Sequence, residues 1–191
     1  MSEDTPTTEP VTYEPIGVVR SPFDDPEGMP IQPAGAADAE GVVELEETYA
    51  PALADLKGFS HCYVLYHFHA AEGSAPLSVE PFLDDRERGL FATRAPRRPN
   101  PIGLSVVAVA SIRDAEVVVR GVDVVDGTPV LHVQPFVPAF DVPASTSGGW
   151  VAASSNSPDS HRAADRFVVS PSPVVPVCPP PSTSPPVVTV L

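Results

Sequence analysis

Short runs of β-branched and other apolar residues recur along the first two thirds of the chain, between segments rich in proline, glycine and acidic residues. Runs of this kind are typical of β-strands when turn-forming residues bound them. They predict strands at Ile16–Arg20, Gly41–Glu46, Cys62–Phe68, Val106–Ile112, Glu116–Val122 and Val130–Val133.

The pattern inside and between these runs refines the prediction. Half-buried alternation is present in the segments at 42–46 and 117–122, whereas the run at 63–68 is apolar enough to be buried on both faces. Arg113-Asp114-Ala115 fits a tight hairpin and Asp126-Gly127 a second turn. One short helix is predicted near Tyr49–Lys57, ended by Gly58. Many short strands with almost no helix predict an all-β domain, a small barrel or sandwich with short helices.

The composition changes abruptly near Ala144. Residues 144–191 hold nine prolines and ten serines, with two acids and two arginines, so the net charge of −14 arises in residues 1–143. Such a segment buries too little apolar surface to offset its ordering entropy. We therefore predict a disordered acidic leader at 1–12, a folded domain at 13–143 and a disordered low-complexity tail at 144–191. The tail is either a partner-docking arm or has no function, and it also fits translation of a shifted reading frame.

Charge and cysteine content narrow the setting of the protein. Lys57 is the one lysine against 25 acids, a surface that suits a cytoplasm of very high salt and a halophilic source. An ordinary acidic protein from a GC-rich genome is the alternative. Cys62 and Cys178 make neither a disulfide framework nor a metal motif. An acidic, polar N-terminus and the lack of a long apolar run predict a cytoplasmic protein without a membrane span.

The segment Leu90–Ser105 carries the most informative chemistry. It holds three arginines and three prolines within eight positions and then enters a strand-like run. Proline fixes φ and removes backbone donors, so this loop is stiff and non-helical. Three fork-shaped cations on a stiff loop favour an anionic or carboxylate-bearing ligand. The alternative is a surface loop whose arginines pair with the many acids.

Four other motifs accompany this loop, in the segments 16–23, 30–32, 58–69 and 123–129. In this order and spacing, the five motifs resemble the TsaA-like family of the TrmO type. The resemblance covers roughly Tyr13 to Asp141, and its most specific part is the run from Phe91 to Ser105. The characterised members of that family are S-adenosylmethionine-dependent methyltransferases that act on N6-threonylcarbamoyladenosine in tRNA.

The resemblance implies a small β-barrel, often dimeric, with a set of residues that bind S-adenosyl-L-methionine. Those that match the donor-binding positions are Pro30, Ile31, Gln32, Phe68, His69, Arg94, Leu104, Asp123, Val124, Val125 and Asp126. On this hypothesis Arg94 holds the donor carboxylate and Phe68 stacks on its adenine, with Leu104 on the other side. Each residue has a structural alternative: Phe68 as core, Gln32 as loop and Asp126-Gly127 as a turn.

Methyl transfer to nitrogen is helped by a base, for which His69 and Asp126 are the candidates, and the sequence does not choose between them. Arg97, Arg98 and Asn100 are the candidates for contact with the anticodon loop of tRNA. His67 and His69 lie two apart on a strand, but they have no known metal-ligand spacing around them, so we expect no metal site.

The sequence therefore predicts a methyltransferase that modifies an adenosine next to the tRNA anticodon, as a homodimer. One departure qualifies the resemblance: relatives usually read Leu-Asp-Ile-Lys-Pro-Tyr where this chain has Leu131-His-Val-Gln-Pro-Phe136, so an acid and a lysine are lost. The alternatives are an S-adenosylmethionine-binding module without tRNA methylation activity, and a non-catalytic dimeric scaffold that docks partners through its tail. The exact nucleoside and the oligomeric state are not determined by the sequence.

Overall fold

The computed structural model describes residues 9–27, 29–30, 36–71 and 73–153. The described strands are β1 (Gly17–Arg20), β2 (Glu40–Leu45), β3 (His61–His67), β4 (Ser78–Val79), β5 (Arg88–Gly89), β6 (Ile102–Arg113), β7 (Glu116–Arg120) and β8 (Thr128–Pro135). The described helices are short: 3-10 turns at Glu47–Leu53, Leu56–Gly58 and Leu90–Ala92, and the α-helices α1 (Pro138–Asp141) and α2 (Gly149–Ala153). None of them is long and apolar enough to span a membrane, within the ranges just given.

Six strands form a closed antiparallel barrel in the order β1-β2-β7-β6-β3-β8, with β8 pairing back to β1. Closure leaves no unpaired strand edge in the barrel. These six strands are the six that the apolar runs predict, so the prediction of an all-β small barrel is confirmed. The main difference is that β6 begins at Ile102, four residues before the predicted start, and is long enough to pair with β3 first and β7 afterwards.

Valine side chains fill the barrel interior. Val43, Val117, Val119 and Val130 are fully buried together with Cys62. The alternation predicted for the second strand is present, since every other residue of β2 points into the core. In β3 the outward face is half-buried rather than buried, which differs from the prediction of two buried faces. Tyr63 on that face makes an edge contact with Phe136, with ring centroids 5.5 Å apart.

The predicted turns and helix are found where the sequence places them. β6 and β7 are joined by a tight turn in which Asp114 takes a positive φ of 49°. The second turn precedes β8, and Gly127 there has a φ of 73°, a region that suits glycine. The helix near Tyr49–Lys57 is present as two consecutive 3-10 turns that end at Gly58.

The connection from β3 to β6 is the largest addition to the barrel, at residues 68–101. It carries the small β4–β5 ribbon and the 3-10 turn Leu90–Ala92. Val79, Leu90 and Ala95 form a second, smaller apolar cluster that holds this excursion together. Neither strand of the ribbon is predicted from the sequence, because each is only two residues long.

The first residues of the predicted tail are described by the structure. Residues 144–153 include the helix α2, and the domain boundary at 143 stays a prediction. Trp150 in this helix contacts the excursion, since its indole N–H donates to the Ala92 carbonyl at 2.8 Å. Residues 1–8 and 154–191 lie outside the described residues, so disorder there stays a prediction.

Candidate functional site

A cleft of about 900 Å³ opens between one end of the barrel and the excursion. This volume falls in the range of small-molecule binding sites in proteins. Its walls come from six parts of the chain, including the arginine-rich loop within Leu90–Ser105, which we call the arginine loop. The lining residues include Pro30 after β1; Tyr66, Phe68 and His69 at the end of β3; Phe91, Ala92, Arg94 and Arg98 in the arginine loop; Gly103 and Leu104 in β6; Asp123, Val124, Val125 and Thr128 around the start of β8; and Trp150 with Val151 in α2.

Gly103 and Tyr66 face each other on paired strands at the floor of the cleft. A Cβ built on Gly103 would lie 2.2 Å from Cε2 of Tyr66, so only glycine lets the tyrosine ring lie flat against β6. Phe68 meets the same ring edge to face, with centroids 5.2 Å apart. The aromatic floor of the cleft therefore depends on this glycine, which belongs to the arginine-loop motif.

A chain of hydroxyl groups runs from Tyr66 to a carboxylate. The Ser105 hydroxyl donates to Asp123 Oδ1 at 2.7 Å and lies 3.1 Å from the Tyr66 hydroxyl. Because the one proton of Ser105 is directed at Asp123, the Tyr66 hydroxyl is the donor to Ser105. Tyr66 and Ser105 are buried, and the chain fixes the orientation of the Asp123 carboxylate at the cleft wall.

Burial raises the pKa of Asp123 to about 6, although the hydrogen bond from Ser105 and the charge of Arg94 act to lower it. Burial also raises the pKa of the Tyr66 phenol, helped by the nearby Asp123 charge. At neutral pH the cleft thus holds a carboxylate that is short of solvation. Such a group binds a cation more strongly than an exposed carboxylate does.

His69 is held by a second hydrogen-bond chain at the cleft. The Thr128 hydroxyl donates to the Val125 carbonyl at 2.6 Å and lies 3.3 Å from His69 Nδ1. Because the Thr128 hydroxyl donates its proton to the Val125 carbonyl, His69 Nδ1 must be the protonated ring nitrogen, and its N–H donates to the Thr128 oxygen. We assign this tautomer from the network, and it leaves the lone pair of Nε2 available as a base.

Asp126, the other candidate base, has a structural position. Its Oδ1 accepts a hydrogen bond from the Ser21 backbone N–H at 2.9 Å, and Oδ2 lies 3.9 Å from Arg20 Nη1. Ser21 in turn donates its hydroxyl to the Val124 carbonyl at 2.7 Å. Asp126 is absent from the residues that line the described cleft. It therefore ties the end of β1 to the segment before β8, and its donor-binding and catalytic roles stay predictions.

The arginines of the loop differ in their surroundings. Arg94 is exposed at the cleft and close enough to lower the pKa of Asp123. Arg98 braces the loop, because its Nη1 donates to the Thr93 and Ala95 carbonyls at 3.0 and 3.4 Å. Arg97 is half-buried and Asn100 exposed, and neither is among the residues that line the described cleft. The loop thus presents Arg94 to a ligand and uses Arg98 partly for its own structure.

The structure gathers most of the residues named from the sequence. Those that line the cleft are Pro30, Phe68, His69, Arg94, Leu104, Asp123, Val124, Val125 and Arg98. Ile31 and Gln32 lie outside the described residues, so nothing can be said of their position. The roles of all these residues stay predictions.

Several residues at the site carry no role in the sequence analysis. Ser105 lies inside the arginine-loop motif, and its place in an otherwise apolar strand is the signal that could have identified it as a buried polar group. Thr128 follows the turn glycine and gives no comparable signal. Trp150 lies in the segment assigned to the tail, and its being the one tryptophan of the chain was the available hint.

The histidines do not converge on a metal site. Among the residues that the structure describes, no group of three or more histidine, cysteine, aspartate or glutamate side chains is arranged to hold a metal ion. His132 instead lies 3.1 Å from the side-chain oxygen of Gln134 on the exposed face of β8.

Comparisons with known proteins agree with this geometry. The family model described as the tRNA-methyltransferase O N-terminal domain matches residues 18–142. A probable S-adenosyl-L-methionine-binding protein of Pyrococcus abyssi is 42% identical over 157 residues, which cover 82% of this chain and 85% of that protein. A tRNA (adenine(37)-N6)-methyltransferase of Escherichia coli is 38% identical over 135 residues, 66% of this chain but 57% of the relative.

A solved structure gives the same match in three dimensions. The crystal structure of TrmO from Pseudomonas aeruginosa superposes with a TM-score of 0.62 and 36% sequence identity. The match covers 74% of this chain and 62% of that chain. The similarity therefore extends over the barrel and its cleft, while the named methyltransferases continue beyond what this chain matches.

Proposed function

This chain belongs to the family of the tRNA-methyltransferase O N-terminal domain, and from that membership we propose that it transfers the methyl group of S-adenosylmethionine to N6 of an adenosine beside the tRNA anticodon. The finer proposal is that this adenosine already carries an N6-threonylcarbamoyl group. One observation carries the site: a single cleft receives Phe68 and His69, Arg94, and Asp123 from three separate motifs.

The cleft residues fit S-adenosylmethionine chemically. When bound, this donor supplies a methyl group on a positively charged sulfur, together with an amino acid and an adenosine. Asp123 offers a poorly solvated carboxylate for a cationic group of the donor, and Arg94 offers a guanidinium for its carboxylate. Phe68 and Leu104 supply apolar surface for the adenine.

Leu104 supports this assignment by its exposure. It stands at an outward position of β6, where 50% of its surface remains exposed. Binding of a flat apolar ligand group over such a side chain is favourable, because it removes apolar surface from water. The same holds for the face of Phe68 that is not packed on Tyr66.

His69 is the residue that we assign as the base. The Nδ1–H bond to Thr128 orients the ring and leaves Nε2 free to take a proton. In the proposed transfer the N6–methyl bond would form as the methyl–sulfur bond breaks, the sulfur would keep the electron pair and leave as a neutral thioether, and Nε2 would accept the proton lost from N6. Asp126 is engaged by a backbone N–H, so of the two candidates His69 has the better support. Close placement of the two reactants in one cleft supplies the rest of the acceleration.

The test combines donor binding with methyl transfer. We expect S-adenosylmethionine to bind the full chain by calorimetric titration in molar potassium chloride, and tRNA to accept a radiolabelled methyl group. Arg94→Ala should weaken donor binding about tenfold or more, the loss typical of a charged hydrogen-bond partner. Arg113→Ala is the matched control, because Arg113 is exposed on the β6–β7 turn and is not a cleft residue.

The possible results separate the alternatives. Donor binding without methyl transfer to any tRNA would leave an S-adenosylmethionine-binding module, the description that the Pyrococcus relative carries. Folded protein that binds no donor would favour the non-catalytic scaffold instead. Equal binding by Arg94→Ala and the parent chain would contradict the assigned role of Arg94 while sparing the family assignment.

Three further proposals concern the oligomeric state, the cellular location and the source of the protein. The homodimer is supported by the family resemblance, and light scattering coupled to gel filtration tests it. The cytoplasmic location is supported by the proposed tRNA substrate. The halophilic source is supported by the net charge of −14 and the single lysine, and it predicts that the midpoint of thermal unfolding rises with potassium chloride concentration.

A further inference from the structure

The segment that follows the family domain contributes a wall to the cleft. Gly148, Trp150 and Val151 line the cleft, although the family model ends at residue 142. Trp150 is the one tryptophan of the chain. A residue beyond the match of the family model that nevertheless lines the cleft is a candidate for a role that the model does not describe.

Trp150 is held in a fixed orientation. Its indole N–H donates to the Ala92 carbonyl at 2.8 Å, and the Arg88 guanidinium carbon lies 5.4 Å from the ring centroid. Arg88 is itself fixed by Asp84, to which its Nε donates at 2.8 Å. The indole N–H edge is therefore bound to the 3-10 turn Leu90–Ala92, and a guanidinium group lies next to the ring. A cation is attracted to an aromatic ring when it lies over the face of that ring.

Phe91, next to Ala92, is built in a similar way. Its ring is 79% exposed, and the Arg98 guanidinium carbon lies 5.7 Å from the ring centroid. Arg98 is braced by the Thr93 carbonyl. Phe91 and Trp150 thus form a pair of guanidinium-backed aromatic rings on the same side of the cleft, which we call the aromatic wall.

The aromatic wall and the polar end of the cleft differ in what they can bind. Tyr66, Ser105 and Asp123 form a largely buried network suited to a small charged molecule. The aromatic wall is apolar, and Phe91 in it is 79% exposed to solvent. A base carried on an RNA strand must enter from the open side, and unpaired bases are commonly bound by stacking on aromatic rings and guanidinium groups.

We propose that the aromatic wall of Phe91 and Trp150 binds the acceptor nucleobase of the RNA by stacking. The proposal rests on the proposed function and adds to it the acceptor side of the cleft. It assigns the methyl donor to the polar end near Asp123 and the acceptor base to the mouth near α2. Arg88 and Arg98 lie beside the two rings, where their charges also attract the phosphates that flank the base.

The single tryptophan makes the test direct. Tryptophan fluorescence of the full chain is followed while an RNA anticodon stem–loop with N6-threonylcarbamoyladenosine beside the anticodon is added in the presence of S-adenosylhomocysteine. Stacking of a base on the indole should quench the emission, and S-adenosylhomocysteine alone should leave it largely unchanged. Fluorescence anisotropy of a labelled copy of the same RNA reports binding independently.

Each outcome has a definite meaning. Quenching that follows RNA binding supports the proposal. RNA binding by anisotropy without quenching overturns it and leaves the proposed tRNA substrate intact. Quenching by S-adenosylhomocysteine alone also overturns it, because Trp150 would then belong to the donor subsite. RNA that does not bind at all contradicts both this inference and the proposed function.

Substitutions add a kinetic test. Trp150→Ala should reduce kcat/KM for tRNA about tenfold or more, the effect of losing one base–aromatic stack, with the donor Kd unchanged. Trp150→Phe keeps a ring and should restore most of the activity. Phe140→Ala is the control, since Phe140 is 84% exposed and is not a cleft residue. Equal loss in Trp150→Phe and Trp150→Ala would point to the Ala92 hydrogen bond and against stacking.

Discussion

Replacing Asp123 by asparagine should stabilise the fold at neutral pH while removing donor binding. The carboxylate lies at the wall of the cleft, where burial raises its pKa from the ordinary 3.8 to about 6. Asparagine has nearly the same shape, and its side-chain oxygen can still accept the hydrogen bond that Ser105 now donates at 2.7 Å. The substitution therefore removes the charge and preserves most of the local structure.

The magnitude follows from the two pKa values. In the unfolded chain Asp123 ionises near its ordinary pKa, but in the folded chain only near pH 6. Between these values the folded state holds a proton that the unfolded state has released, so the free energy of unfolding falls as the pH rises from about 4 to about 6. At about 1.36 kcal/mol per pKa unit, the full effect above pH 6 is about 3 kcal/mol.

Water in the open cleft screens this charge and reduces the effect. We therefore expect Asp123→Asn to gain about 1–2 kcal/mol at pH 7.5 and nothing at pH 4. A gain of that size raises the midpoint of thermal unfolding by about 2–8 °C in a chain of this length. The hydrogen bond from Ser105 and the charge of Arg94 are already included, because both contribute to the pKa of the folded state.

The measurement is urea and thermal unfolding of the parent chain and Asp123→Asn at intervals from pH 4 to pH 8. Asp126→Asn is the matched control, since Asp126 accepts the Ser21 N–H and lies near Arg20. That variant should be no more stable than the parent at any pH. An Asp123→Asn chain that shows no gain at pH 7.5, or the same gain at pH 4 and pH 7.5, would refute the reasoning.

Donor titration completes this prediction. If Asp123 binds a cationic group of the donor, the variant should lose about tenfold or more in affinity, although its fold is more stable. A gain in stability together with a loss in binding is the behaviour of a charge retained for function. A variant that binds the donor as well as the parent does would remove Asp123 from the donor subsite.

Two further predictions concern the floor and the base. Gly103→Ala should lower the midpoint of thermal unfolding by about 4–16 °C, on the order of 2–4 kcal/mol, because its Cβ would lie 2.2 Å from the Tyr66 ring; a normal midpoint would contradict the packing. His69→Gln should reduce kcat for methyl transfer about 100-fold, and Thr128→Val should give a smaller loss of kcat because it removes only the orienting hydrogen bond. An unchanged kcat in His69→Gln would exclude His69 as the base.

The barrel was predictable because its strands satisfy local rules. Each of the six carries β-branched residues that fill a narrow interior, and turn residues such as Asp114 and Gly127 mark where the chain reverses. The ribbon at 78–79 and 88–89 obeys no such rule. It exists because Leu90 and Val79 pack together across a long connection, which is a tertiary contact that sequence periodicity does not encode.

The site was predictable where a motif names its residues and was missed where partners lie far apart in sequence. Arg94 and Asp123 follow from the resemblance, but the Ser105–Asp123 hydrogen bond joins residues 18 positions apart and His69–Thr128 joins residues 59 apart. Composition was misleading at Trp150. Its segment begins a serine- and proline-rich tail, yet one indole N–H with a carbonyl partner holds it to the cleft.

The distribution of charge explains how so acidic a protein can approach a polyanion. On the strands away from the cleft, Arg20 pairs with Glu44 and Arg120 with Glu40. Five of the nine basic residues before position 144 lie in a thirteen-residue stretch of the excursion: Arg86, Arg88, Arg94, Arg97 and Arg98.

The same excursion also carries five acids, so it is balanced in charge rather than basic, and long-range attraction does not select an RNA; the five are Glu72, Glu80, Asp84, Asp85 and Glu87. At a physiological ionic strength of about 0.15 M the Debye length is about 8 Å, and at molar salt it is about 3 Å, so acids on the far face of the barrel repel an RNA weakly. Close contacts at the mouth of the cleft then decide binding. A long duplex offers the mouth only its phosphates and brings further phosphates near the acidic strands. An unpaired loop offers bases for Phe91 and Trp150 with few phosphates, so the acidic surface itself favours a loop adenosine over helical RNA.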